Sequence, residues 1–238
     1  MTDKNSPPAE PRTLVIVGGG GGTGALAVDA ALAHGADVRV IDHSLPENRI
    51  DGVRYHQADV LSDDLTPFME GADAVVSCLG VGNDPATLLS PPPLYTDGTA
   101  AICDAMTAAG VARLIVISAS FVEAKDRGPV YFILPAMTAL ARVFEQMARM
   151  EENLQARSDI DWTAVRPGWL MAGPASGDYT VTPNVIPDDM IRTRRADLAE
   201  FMVDLAMSGE WSRRTPAIAR HEDASASSPK AVLDEITG

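Results

Sequence analysis

The stretch LVIVGGGGGTGALAVDAALAHGADVRVIDHS, residues 14–44, decides the fold. An apolar, β-branched run ends at five consecutive glycines, Gly18–Gly22, and alanine and leucine then recur at helical spacing. A strand that turns through glycines into a helix exposes the unpaired N–H groups of the helix N-terminus, and these groups bind phosphate. The stretch therefore predicts a strand–turn–helix unit that binds a nucleotide.

The glycines of this turn have the spacing of a pyrophosphate-binding loop. Gly18, Gly21 and Gly24 lie three residues apart. In such loops the first glycine permits a tight turn, the middle one lets the backbone approach the pyrophosphate, and the last lets the helix pack closely on the strand. A glycine run can also form a loop without a ligand. Asp42, an acidic residue that ends the second predicted strand, favours the nucleotide site.

Short apolar runs alternate with helical patterns along the rest of the chain. Strands are predicted at 13–17, 37–41, 53–56, 73–79, 113–118 and 161–166, and helices at 23–34, 64–69, 97–109 and 137–157. Repeated βαβ units of this kind predict a Rossmann-like α/β fold, a doubly wound parallel sheet in a single domain. The domain is predicted to span 13–220, between a disordered lead at 1–12 and a loose tail at 221–238.

The composition limits the partners. A net charge of −14 and a pI near 4.6 argue against nucleic acid, because phosphate backbones are bound by clustered lysine and arginine. Cys78 and Cys103 lie in apolar surroundings without metal-ligand spacing, and the histidines are scattered, so we expect buried thiols and no metal. The chain has no apolar leader and no run long enough to cross a membrane. These features predict a cytoplasmic protein that binds no membrane.

Four motifs resemble those of a known family: GGGGGTG, VVSCLGVGNDP, GVARLIVISASF and MARMEENLQARSDIDWTAVRPGWLMAGPASGDYTV. The chain is similar to the atypical short-chain dehydrogenases/reductases, the NmrA-like NAD(P)-binding proteins, and looks most like their flavin reductase/biliverdin reductase B group. The similarity covers about residues 13–218, and 147–181 is its most specific part. The resemblance implies a nicotinamide cofactor, NAD(P), and reductase chemistry.

The resemblance also implies roles for individual residues. It places Asp59 near the adenine, and it places Pro167 and Gly168 beside the nicotinamide. Trp169, which follows them, borders the nicotinamide or is an ordinary packing aromatic. The positions implied for the cofactor's phosphates and ribose are Gly18, Gly21, Thr23, Gly24, Leu79 and Gly80.

Ser118 and Ser120 end the fifth predicted strand, where nicotinamide and substrate are expected to meet. Either serine is a candidate catalytic residue that donates a hydrogen bond to the reducible group, or a simple strand-end cap. Classical short-chain dehydrogenases use a Tyr-x-x-x-Lys pair, whereas here Tyr131 is followed four residues later by Pro135. A conjugated acceptor suits such a site better than a ketone, because water can supply the proton. Flavins, quinones and linear tetrapyrroles are such acceptors.

Asp42 and His43 bear on the cofactor preference. A carboxylate at the end of the second strand accepts hydrogen bonds from the ribose hydroxyls and repels the 2′-phosphate of NADP. His43, when protonated, accommodates a phosphate in part. We therefore predict that NAD is preferred.

The reaction is predicted to be hydride transfer from NAD(P)H to a small conjugated molecule, in a monomer or small homo-oligomer. Two alternatives remain open. One is a non-catalytic dinucleotide sensor, and the other is an isomerase or tailoring reductase of secondary metabolism. The long segments 83–98 and 121–137 are predicted to form the pocket walls, the second as an aromatic-rich lid or as a packing surface.

Overall fold

A computed structural model of the chain describes residues 11–82, 84–124 and 130–223, apart from the side chains of 85 and 130–139. The strands are β1 Thr13–Val17, β2 Asp37–Asp42, β3 Arg54–Gln57, β4 Ala74–Ser77, β5 Arg113–Ile117, β6 Asp161–Pro167, β7 Trp169–Met171, β8 Thr180–Pro183, β9 Arg192–Arg194 and β10 Pro216–Ala219. The α-helices are α1 Gly22–Ala33, α2 Thr66–Met69, α3 Pro85–Leu89, α4 Thr99–Ala109, α5 Val130–Ala156 and α6 Arg195–Ser208.

Eight of these strands form one sheet in the order β3-β2-β1-β4-β5-β6-β10-β8. Neighbours pair in parallel from β3 to β10, and only the edge strand β8 runs antiparallel. The chain leaves β1 toward β2 on one side and later crosses to β4 on the other. This reversal opens a crevice at the carboxyl ends of the strands. The predicted Rossmann-like α/β fold is confirmed.

The sheet is covered on both faces, which explains why its central strands are apolar without interruption. Val15 and Val17 of β1 belong to a core formed with α4 and α5, whereas Leu14 and Ile16 belong to a core formed with α1 and α6. All four side chains are buried. Full burial of each contributes about 1.5–3 kcal/mol, so β1 is a large share of the core.

The structure adds elements to the predicted pattern, among them the helix α3. Helix α5 begins at Val130, so the predicted loop at 121–137 is helical in its final part. A π-helical turn, Leu94–Gly98, precedes α4. Strands β7–β10 were not predicted. Most of the predicted lead at 1–12 and tail at 221–238 lies outside the described residues. No helix among the described residues is long and apolar enough to cross a membrane.

Candidate functional site

A cavity of about 780 Å³ lies at the carboxyl ends of the parallel strands, within the range of about 300–1,000 Å³ typical of cofactor sites. It extends from the glycine loop between β1 and α1 to one side of α5. Most of the predicted site residues line it, namely Gly18, Gly21, Thr23, Asp42, His43, Asp59, Leu79, Gly80, Ser118, Pro167 and Gly168. Gly24 and Ser120 are not part of its wall.

The glycine loop is shaped by two close backbone approaches. Gly18 has a φ of +78°, and a Cβ on it would lie 2.8 Å from the carbonyl oxygen of Cys78. A Cβ on Gly24 would lie 2.0 Å from the carbonyl oxygen of Gly18. Gly21 differs, because its backbone is extended (φ −78°, ψ 167°) and a Cβ there would meet only the Gly18 oxygen, at 3.4 Å. The structure thus requires glycine at Gly18 and Gly24 for packing, and leaves open space beside Gly21.

Helix α1 points its N-terminus at this space. The first helical hydrogen bond runs from the Ala25 N–H to the Gly21 carbonyl at 2.8 Å, and no side chain caps the helix. The N–H groups of Gly22, Thr23 and Gly24 therefore lie ahead of the helical ladder. Together with the helix dipole, such groups favour an anion.

Asp42 ties the end of β2 to the glycine loop. Its buried carboxylate accepts the N–H of Gly20 at 2.8 Å through Oδ2 and the N–H of Ser44 at 3.1 Å through Oδ1. Nδ1 of the exposed His43 lies 3.0 Å from Oδ1. A carboxylate has about four acceptor positions, so Asp42 keeps acceptor capacity on the cavity side while it fixes the loop.

A second acidic residue, Asp59, lies on the same side of the cavity after β3. Its carboxylate accepts the N–H of Leu61 at 2.9 Å, which holds the turn in place. The buried side chain of Val60 and the partly exposed Leu61 give this end of the cavity an apolar floor.

Ser118 lies in the cavity wall and is buried. Its hydroxyl donates to Oε1 of Glu151 at 2.6 Å, so its hydrogen is already bound to a carboxylate. The predicted role as a hydrogen-bond donor to the substrate does not agree with this geometry. The oxygen of Ser118 keeps acceptor capacity for a ligand N–H or O–H.

Ser120 is not brought into the cavity. The chain enters a short 3₁₀ turn, Ser120–Val122, directly after β5, and the buried hydroxyl of Ser120 donates to the carbonyl of Arg166 at 2.9 Å. This turn directs its side chain to β6, as expected of the strand-end cap that the sequence left open as the alternative, and a catalytic role of Ser120 stays a prediction.

Glu151 and Arg166 form a buried ion pair behind Ser118. Arg166 donates to Glu151 from Nε at 3.0 Å and from Nη2 at 2.6 Å, and it also contacts Glu123 and the carbonyl of Asn184. Burial lowers the pKa of Arg166, but the hydrogen bonds and charges of the two glutamates outweigh it and raise that pKa above its ordinary value. The Arg166 guanidinium therefore stays charged, and the hydrogen bond to Glu151 fixes the position of Ser118.

The far end of the cavity is apolar and aromatic. Phe121 packs against Phe144 and Trp169, with ring centroids 5.8 and 6.0 Å apart. Helix α5 contributes four apolar residues to this wall: Leu140, Val143, Phe144 and Met147. Leu88, Leu94 and Tyr95 face them from α3 and the π-helical turn. Trp169 therefore both packs against Phe121 and lines the cavity.

Two titratable side chains in the cavity wall are neutral near pH 7. Burial raises the pKa of the Cys78 thiol to about 12. Burial also raises the pKa of Tyr95 to about 12, although a hydrogen bond with the Val81 backbone lowers it in part. Neither group is a ready proton donor or a nucleophile at that pH.

Gly168 closes the turn after β6. Its N–H donates to Thr193 Oγ1 at 2.9 Å, and a Cβ on it would lie 2.7 Å from the carbonyl oxygen of Ile191. The absence of a side chain thus lets β9 approach the end of β6, and α6 begins directly after β9.

The arginines before α6 differ in their surroundings. The sequence predicts a solvated helix start for Arg192, Arg194 and Arg195, and the family resemblance also allows a basic residue near the substrate entrance. In the structure Arg192 is buried and Arg194 pairs with Glu222 at 2.6 Å, whereas Arg195 lines the cavity beside the glycine loop. No sequence signal distinguished Arg195, because α1 and α6 are far apart along the chain and meet only in the fold.

A family model described as NAD(P)H-binding matches residues 18–208. The chain belongs to this NAD(P)H-binding family. The matched segment begins at the first glycine of the loop and ends with the last residue of α6, so it includes both helices whose N-termini lie at the cavity. A nicotinamide dinucleotide is thereby confirmed as the cofactor class, and the preference for NAD over NADP stays a prediction.

Solved structures of low sequence identity share the fold. A candidate epimerase from Bacteroides thetaiotaomicron aligns with a TM-score of 0.73 at 19% identity, over 90% of this chain and 99% of its own. A candidate NADH-flavin reductase from Streptococcus pneumoniae aligns with a TM-score of 0.70 at 18% identity, over 88% of this chain and 100% of its own. An anaerobillin reductase from Escherichia coli O157:H7 aligns with a TM-score of 0.66 at 21% identity, over 87% of this chain and 96% of its own. At these identities the similarity establishes the fold alone.

Proposed function

We propose that the protein is an NAD(P)H-dependent reductase that transfers hydride to a flat conjugated acceptor such as a flavin, a quinone or a linear tetrapyrrole. One observation carries the proposal. A single cavity joins a glycine loop, open beside Gly21, to an aromatic wall, and two titratable side chains of its lining, Cys78 and Tyr95, have pKa values of about 12.

The glycine loop fits a dinucleotide, because it leaves space where a side chain would stand. Gly22 and Thr23 would hold the pyrophosphate through their N–H groups in the open space beside Gly21, and Asp42 would accept hydrogen bonds from the adenosine ribose. Gly168 and Ser118 would flank the nicotinamide. When bound, the reduced cofactor supplies the hydride.

The apolar half of the cavity favours a flat acceptor. Phe121, Phe144 and Trp169 offer ring faces and edges for stacking. Ser118 offers an acceptor oxygen, which suits a ring N–H or the hydroxyl that forms on reduction. Reduction of such an acceptor consumes one hydride and one proton, and water at the mouth of the cavity supplies the proton.

Two of the similar structures support this choice. The Streptococcus pneumoniae protein is a candidate NADH-flavin reductase, and the Escherichia coli protein is an anaerobillin reductase. Both names describe reduction of an extended conjugated system, which is the chemistry that the aromatic wall favours here.

Steady-state oxidation of NADH and NADPH tests the proposal. The acceptors are FMN, a soluble naphthoquinone and biliverdin, with a small dicarbonyl as a comparison that lacks an extended ring system. We expect saturable turnover with at least one conjugated acceptor and little with the dicarbonyl. Tight dinucleotide binding without turnover of any acceptor would instead support the sensor alternative. Turnover of the dicarbonyl alone would contradict the proposal of a conjugated acceptor.

A further inference from the structure

Arg195 is the first residue of α6, and its side chain reaches the glycine loop. A Cβ placed on Gly22 would lie 3.8 Å from Cδ of Arg195 and 4.0 Å from its Nε. Gly22 is also the first residue of α1. The guanidinium group is therefore near the N–H groups at the start of α1, and it lines the same cavity.

Arg195 has no hydrogen-bond or ion-pair partner among residues 11–82, 84–124 and 130–223. Nearby arginines are engaged: Arg166 with Glu151 and Glu123, and Arg194 with Glu222. Partly buried charges are usually paired, because burial removes part of their hydration. An unpaired guanidinium in a cavity wall thus suggests an anionic ligand, which it can bind in bidentate fashion.

We propose that Arg195 binds the pyrophosphate of the dinucleotide, opposite the N-terminus of α1. This inference rests on the proposed function, because it requires a dinucleotide in the glycine loop. The loop would then hold the pyrophosphate between backbone N–H groups and a cation from another helix. In a chain with a net charge of −14, a local cation also offsets the repulsion that an anionic ligand meets.

The position of Arg195 favours the pyrophosphate over the 2′-phosphate of NADP. The two ends of the loop carry opposite charges, since the Asp42 carboxylate binds Gly20 whereas Arg195 lies beside Gly22. The 2′-phosphate extends from the ribose, whose expected partner is Asp42. Arg195 therefore strengthens the binding of NADH and NADPH alike.

Binding measurements on Arg195→Met test the inference without any acceptor. Methionine keeps much of the length and apolar contact of the side chain and removes the charge. Isothermal titration calorimetry would give Kd values for NADH, NADPH, ADP-ribose and adenosine, and circular dichroism would check the fold. Arg149→Met is the matched control, because Arg149 lies on the surface of α5 and pairs with Glu145.

We expect Arg195→Met to weaken the binding of NADH, NADPH and ADP-ribose by a similar factor. The Kd of each should rise about tenfold or more, as for the loss of a charge-assisted hydrogen bond. Adenosine, which lacks phosphate, keeps its affinity. Arg195→Lys restores part of the loss, and the salt dependence of NADH binding decreases in the methionine variant.

Unchanged affinity for NADH in Arg195→Met would overturn this inference while the proposed function stands. A loss confined to NADPH would also overturn it, since the arginine would then bind the 2′-phosphate. If the unaltered protein bound none of the dinucleotides, this inference and the proposed function would both be wrong.

Discussion

Gly21 and Gly24 lie three residues apart, but a side chain would have a different effect at each. At Gly21 the backbone is extended and the added Cβ meets a single atom, at 3.4 Å. At Gly24 the Cβ would overlap the backbone of Gly18. One glycine is thus available to a ligand, and the other is needed by the fold.

We expect Gly21→Leu to abolish dinucleotide binding and leave the Tm nearly unchanged, because the side chain would occupy the space beside the N-terminus of α1. Gly24→Ala, the comparison, lowers the free energy of unfolding by about 3 kcal/mol or more through overpacking. Calorimetric titration with NADH and thermal melts measure both effects. Normal NADH affinity in Gly21→Leu would rule out this loop as the pyrophosphate site.

The two serines after β5 allow a similar comparison. Ser118→Ala removes one hydrogen-bonding group from the cavity wall, so kcat is expected to fall by about a hundredfold at most. Ser120→Ala removes a buried hydrogen bond outside the cavity, which costs about 1 kcal/mol of stability and leaves kcat unchanged. Steady-state kinetics and urea unfolding measure these effects, and a larger loss of kcat in Ser120→Ala than in Ser118→Ala would reverse the assignment.

The cofactor preference depends on the carboxylate at the end of β2. We predict higher kcat/KM with NADH than with NADPH, because the Asp42 carboxylate lies buried at the cavity beside the exposed His43 and would repel a 2′-phosphate. Asp42→Ala combined with His43→Arg should shift the preference toward NADPH. Asp42→Asn is the control, since an amide oxygen can still accept the Gly20 N–H. A native preference for NADPH would contradict the prediction.

The residues of the site were predictable where they are close in sequence. The glycine loop and Asp42 follow from spacing within one βα unit, and the structure brings them into contact. Arg195, Phe144 and Tyr95 reach the cavity from distant elements, so no local pattern in a single sequence marks them. Ser120 lies outside the cavity wall because a 3₁₀ turn changes the direction of the chain directly after β5, and no sequence pattern predicted that turn.

At the scale of elements, the strands up to β6 were predictable, and the short strands that follow β6 were not. Strands β1 to β6 agree with the predicted runs to within two residues at each end. Strands β7 and β9 pair with each other as three-residue strands, which depend on tertiary contacts more than on residue type. Helix α5 begins at Val130, ahead of the predicted start at 137, although Pro135 lies inside its early turns, where proline disfavours helix.

An acidic residue joins the end of α5 to α4. Hydrogen bonds from Arg157 and Thr107 hold the pKa of Asp159 well below its ordinary value of 3.8. A lowered carboxyl pKa stabilises the fold above the ordinary value, and this contribution is lost as the pH falls through the lowered pKa. We therefore expect Asp159→Asn to reduce the free energy of unfolding near about pH 7 and to matter progressively less below about pH 4.

Urea unfolding at several pH values measures this difference. Asp29→Asn, at an exposed position of α1, is the control and should have little effect at any pH. A destabilisation by Asp159→Asn that grew as the pH fell would have the wrong sign for this contact.

At the scale of the whole molecule, the cavity separates charged and apolar chemistry. The half at the glycine loop contains Asp42, His43, Asp59 and Arg195, whereas the half at α5 is dominated by apolar and aromatic side chains. Because the pKa values of Cys78 and Tyr95 are both about 12, neither changes its charge between about pH 6 and pH 9. We expect kcat with a quinone acceptor to be level over that range. A fall in kcat toward high pH, at normal stability, would reveal a proton donor in the enzyme.

The central claim is that hydride leaves a nicotinamide bound at the glycine loop and enters an acceptor held at the aromatic wall. Rapid mixing of the NADH-loaded protein with a soluble naphthoquinone tests it in a single turnover. We predict an exponential loss of reduced-nicotinamide absorbance, slower with NADH deuterated at C4 and absent in Gly21→Leu. Persistence of bound NADH with this and every other conjugated acceptor, or the same rate in Gly21→Leu, would contradict the account.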